Sequence, residues 1–222
     1  MSRFYTIMLP AVRFAFYSAM RLQVEGREHV PKSGPLIVVA NHLNTIDPPL
    51  LGVIFPRQIV FMAKDELFAF PSALIMHSLG AFSARKFGKS GMGLRRAIKV
   101  LRDGNVLGIF PEGKRSADHS MTKGENGVAY IALRSGAPLI AVGICGSEAF
   151  TQKTALLRRP LVNVTIGEPF SFAKTQKKLS DEELVQVTES IMQQIARVLP
   201  PDYRGVYDEN VIGNDNENQS GR

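Results

Sequence analysis

Residues 33–49 are SGPLIVVANHLNTIDPP, and this stretch decides the fold. The run Leu36–Ala40 is continuously apolar and follows a turn sequence at 33–35. A short apolar run that begins after turn residues is typical of a strand buried on both faces of a sheet. Asp47 followed by Pro48 has the form of a helix N-cap with proline at the first helical position. The stretch therefore predicts a buried strand that leads through a short turn into a helix.

The same alternation of short apolar runs and longer amphipathic stretches continues along the chain. The last helix should begin at a capping box formed by Ser180 and Glu183. Strands that alternate with helices predict an α/β fold, with a mixed, mainly parallel sheet covered by helices on both faces. Besides Leu36–Ala40, the predicted strands are Ile59–Met62, Val106–Phe110, Leu139–Ile144 and Leu161–Ile166, and the predicted helices are Met92–Arg102, Lys123–Arg134 and Asp181–Leu199.

The two ends of the chain differ from its middle. Residues 4–20 are strongly apolar and aromatic, but Pro10 and Arg13 interrupt them. A bilayer span needs about 20 apolar residues, so this stretch is too short and too charged to cross a membrane. Arginines beside aromatic side chains favour a helix in the membrane interface, and docking on the protein's own core is the alternative. We predict an interfacial amphipathic helix at 1–21, a globular domain at 22–204, and a polar, disordered tail at 205–222.

Composition excludes several classes of protein. The chain has 27 Lys and Arg against 20 Asp and Glu, a net charge of +7, which suits a polyanionic partner. It has no Trp and only five Tyr, so a base-stacking platform is not apparent and nucleic acid is not expected as a partner. Cys145 is the single cysteine, which excludes an intrachain disulfide and a zinc site built on cysteines.

His42 and Asp47 are the first candidates for catalysis. On one continuous helix, residues five apart point away from each other, but across a strand-to-helix turn the two side chains can meet. A carboxylate on one imidazole nitrogen fixes the tautomer and leaves the other nitrogen to take a proton from a hydroxyl. The alternative is that Asp47 only caps a helix and His42 only ends a strand.

The segment FPEGKRS at 110–116 begins at Phe110, the last residue of the predicted strand Val106–Phe110. Glycine, two cations and a hydroxyl at the end of a strand suit a phosphate site, and a solvated charged turn is the alternative. Residues 108–114 also match the phosphate-loop pattern GxxxxGK, but Arg115 replaces the Ser or Thr that would hold magnesium. A second match ending at 88–90 has Ser83 in place of the first glycine. A nucleotide-binding protein is therefore a lesser alternative.

Taken together, NHLNTID at 41–47 and FPEGKRS at 110–116 resemble the glycerolipid acyltransferase family, with lysophosphatidic acid acyltransferases as the most similar branch. KDEL at 64–67 with GAFSAR at 80–85 is similar to the family's second block, and APLI at 137–140 to its fourth. Lys114 departs from the family's usual threonine, and Ala141 from a usual second proline.

The resemblance implies that His42, held by Asp47, deprotonates the acceptor hydroxyl for attack on an acyl thioester. Backbone amides near Lys64, or in the turn after His42, are expected to stabilise the tetrahedral oxyanion. No metal or tightly held cofactor is expected, because the thioester of the co-substrate is already activated. The implied contacts with substrate are at Lys64, Arg85, Glu112, Gly113 and Arg115, the last four around the glycerol phosphate.

The expected reaction is acyl transfer to the sn-2 hydroxyl of lysophosphatidic acid, which gives phosphatidic acid. Glycerol 3-phosphate or another lysophospholipid as acceptor is the alternative, and a non-catalytic lipid-binding membrane protein is a further one. The expected partners are lysophosphatidic acid, acyl-CoA or acyl carrier protein, and an anionic membrane surface. The resemblance implies a peripheral or monotopic position on the cytoplasmic face of the cell membrane.

Overall fold

The computed structural model describes residues 3–63, 82–83, 91–152 and 154–208, and the statements below refer to these residues. The described strands are β1 (Arg21–Glu25), β2 (Leu36–Ala40), β3 (Ile59–Ala63), β4 (Phe82–Ser83), β5 (Val106–Ile109), β6 (Leu139–Cys145) and β7 (Leu161–Phe170). The described α-helices are α1 (Arg3–Ala19), α2 (Asp47–Ile54), α3 (Met92–Arg102), α4 (Gly127–Ser135), α5 (Ala155–Arg158), α6 (Asp181–Arg197) and α7 (Pro201–Arg204). Short 3-10 helices lie at Arg27–His29, Ser147–Thr151 and Gly205–Tyr207.

The strands form one sheet in the order β1-β7-β6-β2-β5-β3-β4. From β6 to β4 all neighbours are parallel, whereas β7 is antiparallel to β6, and β1 is parallel to β7. The predicted mixed, mainly parallel α/β sheet is therefore confirmed.

The central strand β2 is buried on both faces because helices cover both sides of the sheet. Ile37 and Val39 pack into a cluster with residues of α3, α4 and α6. Leu36 and Val38 point the other way, into a cluster with α2 and with Val12 and Phe16 of α1. Alternating side chains that are all buried require a continuous apolar run, which is the pattern from which this strand was predicted.

The predicted strands are all present, within a few residues at their ends, and the capping box at the start of α6 is formed. The sequence missed β1, because its residues alternate between exposed and partly buried, as suits a strand at the edge of a sheet. It also missed the two-residue β4. The predicted helix Lys123–Arg134 begins later, at Gly127, because the backbone N–H of Glu125 donates to Pro111 O, at 2.8 Å, in the preceding loop.

Two expectations are corrected by the structure. Asp47 is the first residue of α2 and not its N-cap, which is Ile46, because the Asp47 carboxylate turns back to the preceding loop. The tail does not begin at Gly205, because residues 205–207 form a 3-10 helix in which Tyr207 is buried. The Tyr207 hydroxyl accepts a hydrogen bond from the backbone N–H of Gly124, at 3.4 Å. Residues 209–222 lie outside the described part of the chain.

Helix α1 packs on the domain and also exposes apolar side chains. Val12 and Phe16 contact the core, and Arg13 Nε donates to Val53 O at 2.9 Å. Phe14 and Tyr17, in contrast, are exposed. None of the helices in the described ranges is long and apolar enough to cross a membrane.

Gly108 illustrates how tightly the centre of the sheet is packed. An added Cβ would lie 2.4 Å from Phe61 Cε1 and 2.7 Å from Ile59 Cγ2, both on the neighbouring strand β3. We expect Gly108→Ala to lower the free energy of unfolding by about 1–3 kcal/mol, because neither side chain can move away inside a packed core. Urea denaturation measures this loss.

Gly127→Ala is the matched control. Its added Cβ would meet only Leu94 Cδ2, at 3.7 Å, in the first turn of α4. An alanine there should be neutral or stabilise the protein by up to about 1 kcal/mol. Equal stabilities of the two variants would contradict the packing role of Gly108.

Candidate active site

Parallel pairing of β2 with β5 brings two loops to one edge of the sheet. Val39 lies opposite Ile109 in this pairing, so the residues after each strand leave the sheet side by side. The carboxyl edge of a parallel sheet is the usual place for a ligand or active site. The loop after β2 carries His42 and Asp47, and the loop after β5 carries Glu112, Gly113 and Arg115.

Two of the predicted site residues, Lys64 and Arg85, come after β3 in the chain. Strand β3 pairs in parallel with β5 and ends at Ala63, so the chain leaves this strand at the same edge of the sheet. Lys64 and Arg85 themselves lie outside the described residues, and their roles stay predictions.

The predicted hydrogen bond between His42 and Asp47 is present. His42 Nδ1 and Asp47 Oδ2 are 2.9 Å apart, and Asp47 is fully buried. The same Oδ2 accepts from the backbone N–H groups of Leu43, at 2.8 Å, and Asn44, at 2.7 Å. One carboxylate oxygen thus closes the turn and orients the imidazole, with Nδ1 bound to Asp47 and Nε2 left for a reacting group.

The His42 ring also lies against an aromatic side chain. Its centroid is 4.2 Å from that of Phe110, with 23° between the two planes, and Phe110 in turn stacks on Phe61 at 5.9 Å. The His42 side chain is 15% exposed, so a small part of the ring can be reached from outside. The stack with Phe110 fixes the plane of the His42 ring. The hydrogen bond to Asp47 fixes which ring nitrogen faces the carboxylate.

Glu112 is buried beside His42, with both carboxylate oxygens turned to protein donors. Oε1 accepts from the backbone N–H of His42 at 3.1 Å. Oε2 accepts from the backbone N–H of Thr122 at 2.9 Å and from its hydroxyl at 3.0 Å. Burial raises the pKa of Glu112 above its ordinary value, although the hydrogen bonds from Thr122 and His42 oppose that rise. Sequence reasoning missed Thr122, because nothing marks a single threonine in a polar stretch.

The exposed part of the site consists of Gly113 and the cations beside it. Gly113 has φ +66° and, with the exposed cations Lys114 and Lys123, lines a polar cleft of about 280 Å³. Glu112, Thr122 and Glu125 line the same cleft. Arg115 is exposed, and its one described polar contact is long, 3.5 Å from Nη1 to Thr45 Oγ1. The backbone of Gly113 and the side chains of Lys114, Arg115 and Lys123 are therefore available to an anionic ligand.

Three amides of the turn after His42 are already used and do not supply the oxyanion donors that were expected there. The N–H groups of Leu43 and Asn44 are used by Asp47, and that of Ile46 donates to Asn44 Oδ1 at 3.2 Å. The expectation is wrong for these three amides. The other proposed donor, at Lys64, lies outside the described residues.

The structure also contradicts the phosphate-loop alternative at residues 108–114. In a phosphate loop, a helix begins directly after the Gly-Lys pair, and its N-terminus faces the phosphates. Here every residue from 110 to 126 is described and no α-helix begins before Gly127. Gly108 lies within β5, where its small size is needed for contact with Phe61. The second match includes residues 84–90, which lie outside the described part of the chain.

Asp47 should be needed for the stability of the folded protein as well as for the orientation of His42. We expect Asp47→Ala to lower the free energy of unfolding by about 2–5 kcal/mol, because two buried backbone N–H groups would lose their acceptor. Asp47→Asn keeps one acceptor oxygen and should lose less. Urea denaturation of both variants measures the difference.

Asp103→Ala is the control for Asp47, because the one side-chain contact of Asp103 among the described residues is an exposed ion pair with Lys99, at 2.7 Å. Such pairs contribute about 0–1 kcal/mol. If the Asp47 and Asp103 variants lost the same stability, Asp47 would not hold the turn.

Comparisons with known proteins agree with the resemblance seen in the motifs. The family model described as "Acyltransferase" matches residues 21–145, more than half of the chain. The 1-acyl-sn-glycerol-3-phosphate acyltransferase of Bacillus subtilis is 29% identical over 176 residues, which cover 78% of this chain and 86% of that protein. The enzyme of that name from Borreliella burgdorferi is 26% identical over 199 residues, 88% of this chain and 78% of the relative.

A solved structure matches as well. The crystal structure of the 1-acyl-sn-glycerophosphate (LPA) acyltransferase PlsC from Thermotoga maritima superposes with a TM-score of 0.62 at 28% identity. The match covers 84% of this chain and 78% of the solved one.

Proposed function

Because this chain belongs to the acyltransferase family, we propose that it transfers a fatty acyl group to the sn-2 hydroxyl of lysophosphatidic acid. The donor in this proposal is an acyl thioester of coenzyme A or acyl carrier protein, and the product is phosphatidic acid. The observation that carries the proposal is the 2.9 Å hydrogen bond between His42 Nδ1 and buried Asp47, which leaves Nε2 for the acceptor hydroxyl. The names of the similar bacterial enzymes support the acceptor.

In the proposed mechanism His42 acts first as base and then as acid. Its Nε2 takes the proton of the acceptor hydroxyl while the hydroxyl oxygen attacks the thioester carbonyl carbon. Collapse of the tetrahedral intermediate breaks the carbon–sulfur bond, and the leaving thiolate takes the proton from the imidazolium. Asp47 stabilises that imidazolium and keeps the imidazole in the required tautomer. The thioester is already activated, so the mechanism uses no metal or cofactor.

The phosphate of the acceptor fits the exposed half of the site. Arg115 offers a planar guanidinium suited to a phosphate, and Gly113 lets the backbone approach it closely. Lys114 adds a further cation at the cleft where the family usually has threonine. Arg85 and Lys64 remain candidates for the same substrate. Glycerol 3-phosphate or another lysophospholipid carries the same phosphate and is the alternative acceptor.

Cys145 does not suit a covalent acyl-thiol intermediate. It is buried at the end of β6, and burial, with a smaller contribution from Glu148, raises the pKa of its thiol to about 12. A thiol with such a pKa stays protonated near neutral pH and is a poor nucleophile. Direct transfer from donor to acceptor is therefore the favoured route.

Activity measurements test the proposal directly. Wild-type protein should form phosphatidic acid from a long-chain acyl-CoA and lysophosphatidic acid in detergent micelles. His42→Ala should reduce kcat by about 10²–10⁴-fold or more, as expected when an essential base is removed. Cys145→Ala is the control and should keep the wild-type rate.

The other outcomes separate the alternatives. An inactive wild type would be assayed again with acyl carrier protein and with glycerol 3-phosphate, and failure with every pair would favour a non-catalytic lipid-binding protein. Equal rates for wild type and His42→Ala would exclude the His42–Asp47 mechanism. Loss of activity in Cys145→Ala alone would favour a thiol intermediate.

We propose further that the protein works as a peripheral or monotopic protein on the cytoplasmic face of the membrane. Phe14 is 76% exposed on α1, and Leu157 is 88% exposed on α5, which packs against α1. Two arginines hydrogen-bond to Tyr17 of α1. Arg159 Nη2 donates to its carbonyl oxygen and Arg27 Nη2 to its hydroxyl oxygen, each at 3.0 Å. Exposed apolar side chains among arginines suit the negatively charged cytoplasmic leaflet.

Vesicle binding tests the membrane proposal. The double variant Phe14→Glu/Leu157→Glu should bind anionic vesicles at least about tenfold more weakly, because burial of one large apolar side chain contributes about 1.5–3 kcal/mol. Co-sedimentation with phosphatidylglycerol-containing vesicles measures the partition coefficient. Val185→Glu is the control, since Val185 is an exposed apolar residue of α6, on the other face of the sheet. Equal sedimentation of the double variant and wild type would contradict the proposal.

A further inference from the structure

We propose that Glu112 and Thr122 are a pair of positioning residues, which hold the backbone of His42 and act on the reaction through it. In this assignment Glu112 does not bind the acceptor, and Thr122 takes part in catalysis without touching a substrate. The inference rests on the proposed function, because it assigns roles within that reaction.

The hydrogen bonds form a continuous connection from Thr122 to the base. The Thr122 hydroxyl and backbone N–H both donate to Glu112 Oε2, at 3.0 and 2.9 Å. The other oxygen of the same carboxylate, Oε1, accepts from the backbone N–H of His42 at 3.1 Å. A carboxylate that accepts on both oxygens cannot rotate without breaking one set of bonds. Thr122 thus fixes the orientation in which Glu112 holds His42.

Burial argues against direct contact between Glu112 and substrate. Glu112 and Thr122 line the cleft beside Gly113, but Glu112 is only 3% exposed and its carboxylate already accepts three hydrogen bonds from the protein. The Thr122 hydroxyl and N–H are two of those three donors. A carboxylate has about four lone-pair sites, so little accepting capacity remains for a ligand. Arg115 and Gly113, in contrast, are exposed in the same loop. The loop therefore carries a buried residue that faces the base and exposed residues that face the solvent.

The His42 backbone is held at both of its polar groups. Its N–H donates to Glu112, and its carbonyl oxygen accepts from the backbone N–H of Ser116 at 2.8 Å. Its side chain is held by Asp47 at Nδ1 and by Phe110 on one face. A displacement of about 1 Å of a catalytic group can cost about 10²-fold in rate. Loss of one of these constraints should therefore lower the rate of the chemical step.

The electrostatics agree with this geometry. Burial raises the pKa of Glu112, and the hydrogen bonds from Thr122 and His42 lower it again. The Thr122 hydroxyl thus favours the ionised carboxylate, in which both oxygens can accept. Without that hydroxyl a larger fraction of Glu112 is protonated, and a protonated carboxyl oxygen does not accept the same hydrogen bonds.

Steady-state kinetics of two Thr122 variants test the assignment. Thr122→Val keeps the shape and the backbone N–H but removes the hydroxyl, and kcat should fall about five- to fiftyfold with both KM values unchanged. Thr122→Ser restores the hydroxyl and should restore kcat to within about threefold of wild type. A rise in the KM for lysophosphatidic acid with unchanged kcat would overturn the assignment in favour of direct substrate binding. An unchanged kcat in Thr122→Val would overturn it as well.

Amide hydrogen exchange of His42, followed by NMR without substrate, gives a readout that does not depend on activity. Exchange of the His42 N–H should be about tenfold faster in Thr122→Val than in wild type, and Thr122→Ser should restore protection. If wild type has no acyltransferase activity but exchange changes as expected, the proposed function fails while the connection from Thr122 to His42 stands. If wild type is active but neither exchange nor kcat responds, the positioning pair is wrong and the proposed function stands.

Discussion

Parallel hydrogen bonding between β2 and β5 is the constraint on which the site depends. Val39 and Ile109 are paired, so the segments that follow them leave the sheet as neighbours, although 70 residues separate His42 from Glu112. No local feature of either loop places these two side chains together. The apolar runs of the two strands do so, because burial of both faces of the sheet fixes their register.

Two buried carboxylates then convert this edge of the sheet into a rigid frame. Asp47 Oδ2 accepts three hydrogen bonds and Glu112 another three, so each ionisable group is stabilised by donors from its surroundings. A buried carboxylate without such donors is costly, and the donors on Asp47 Oδ2 and on both oxygens of Glu112 offset that cost. Asp47 Oδ1 is buried without a hydrogen-bond partner among the described residues. Phe110 stacks on one face of the His42 ring and so covers the apolar side of this arrangement. The cations of the described site are on its exposed side, at Lys114, Arg115 and Lys123.

The sequence predicted what depends on local pattern. The continuous run Leu36–Ala40 identified a strand buried on both faces, and the spacing of His42 and Asp47 identified a hydrogen bond that the structure contains. Features that depend on distant contacts were missed or misassigned. Thr122, the hydrogen-bond partner of Glu112, was missed because no motif marks it and only the path of the loop brings it close. The tail was placed too early, because Tyr207 is ordered by contact with Gly124, 83 residues away.

In the proposed reaction, the loop after β5 has two functions that a mutation cannot fully separate. Arg115 is exposed, and the next residue, Ser116, uses its backbone N–H to hold the His42 carbonyl oxygen at 2.8 Å. Gly113 lines the cleft, and the preceding residue, Glu112, holds the His42 N–H. Arg115 and Gly113 are thus each adjacent in the chain to a residue that holds the backbone of His42. A change at Arg115 that altered kcat would therefore not show that Arg115 takes part in the chemical step, because displacement of Ser116 would move His42 as well. A measurement of the position of His42 that does not depend on turnover would distinguish a direct role of Arg115 from an effect through Ser116.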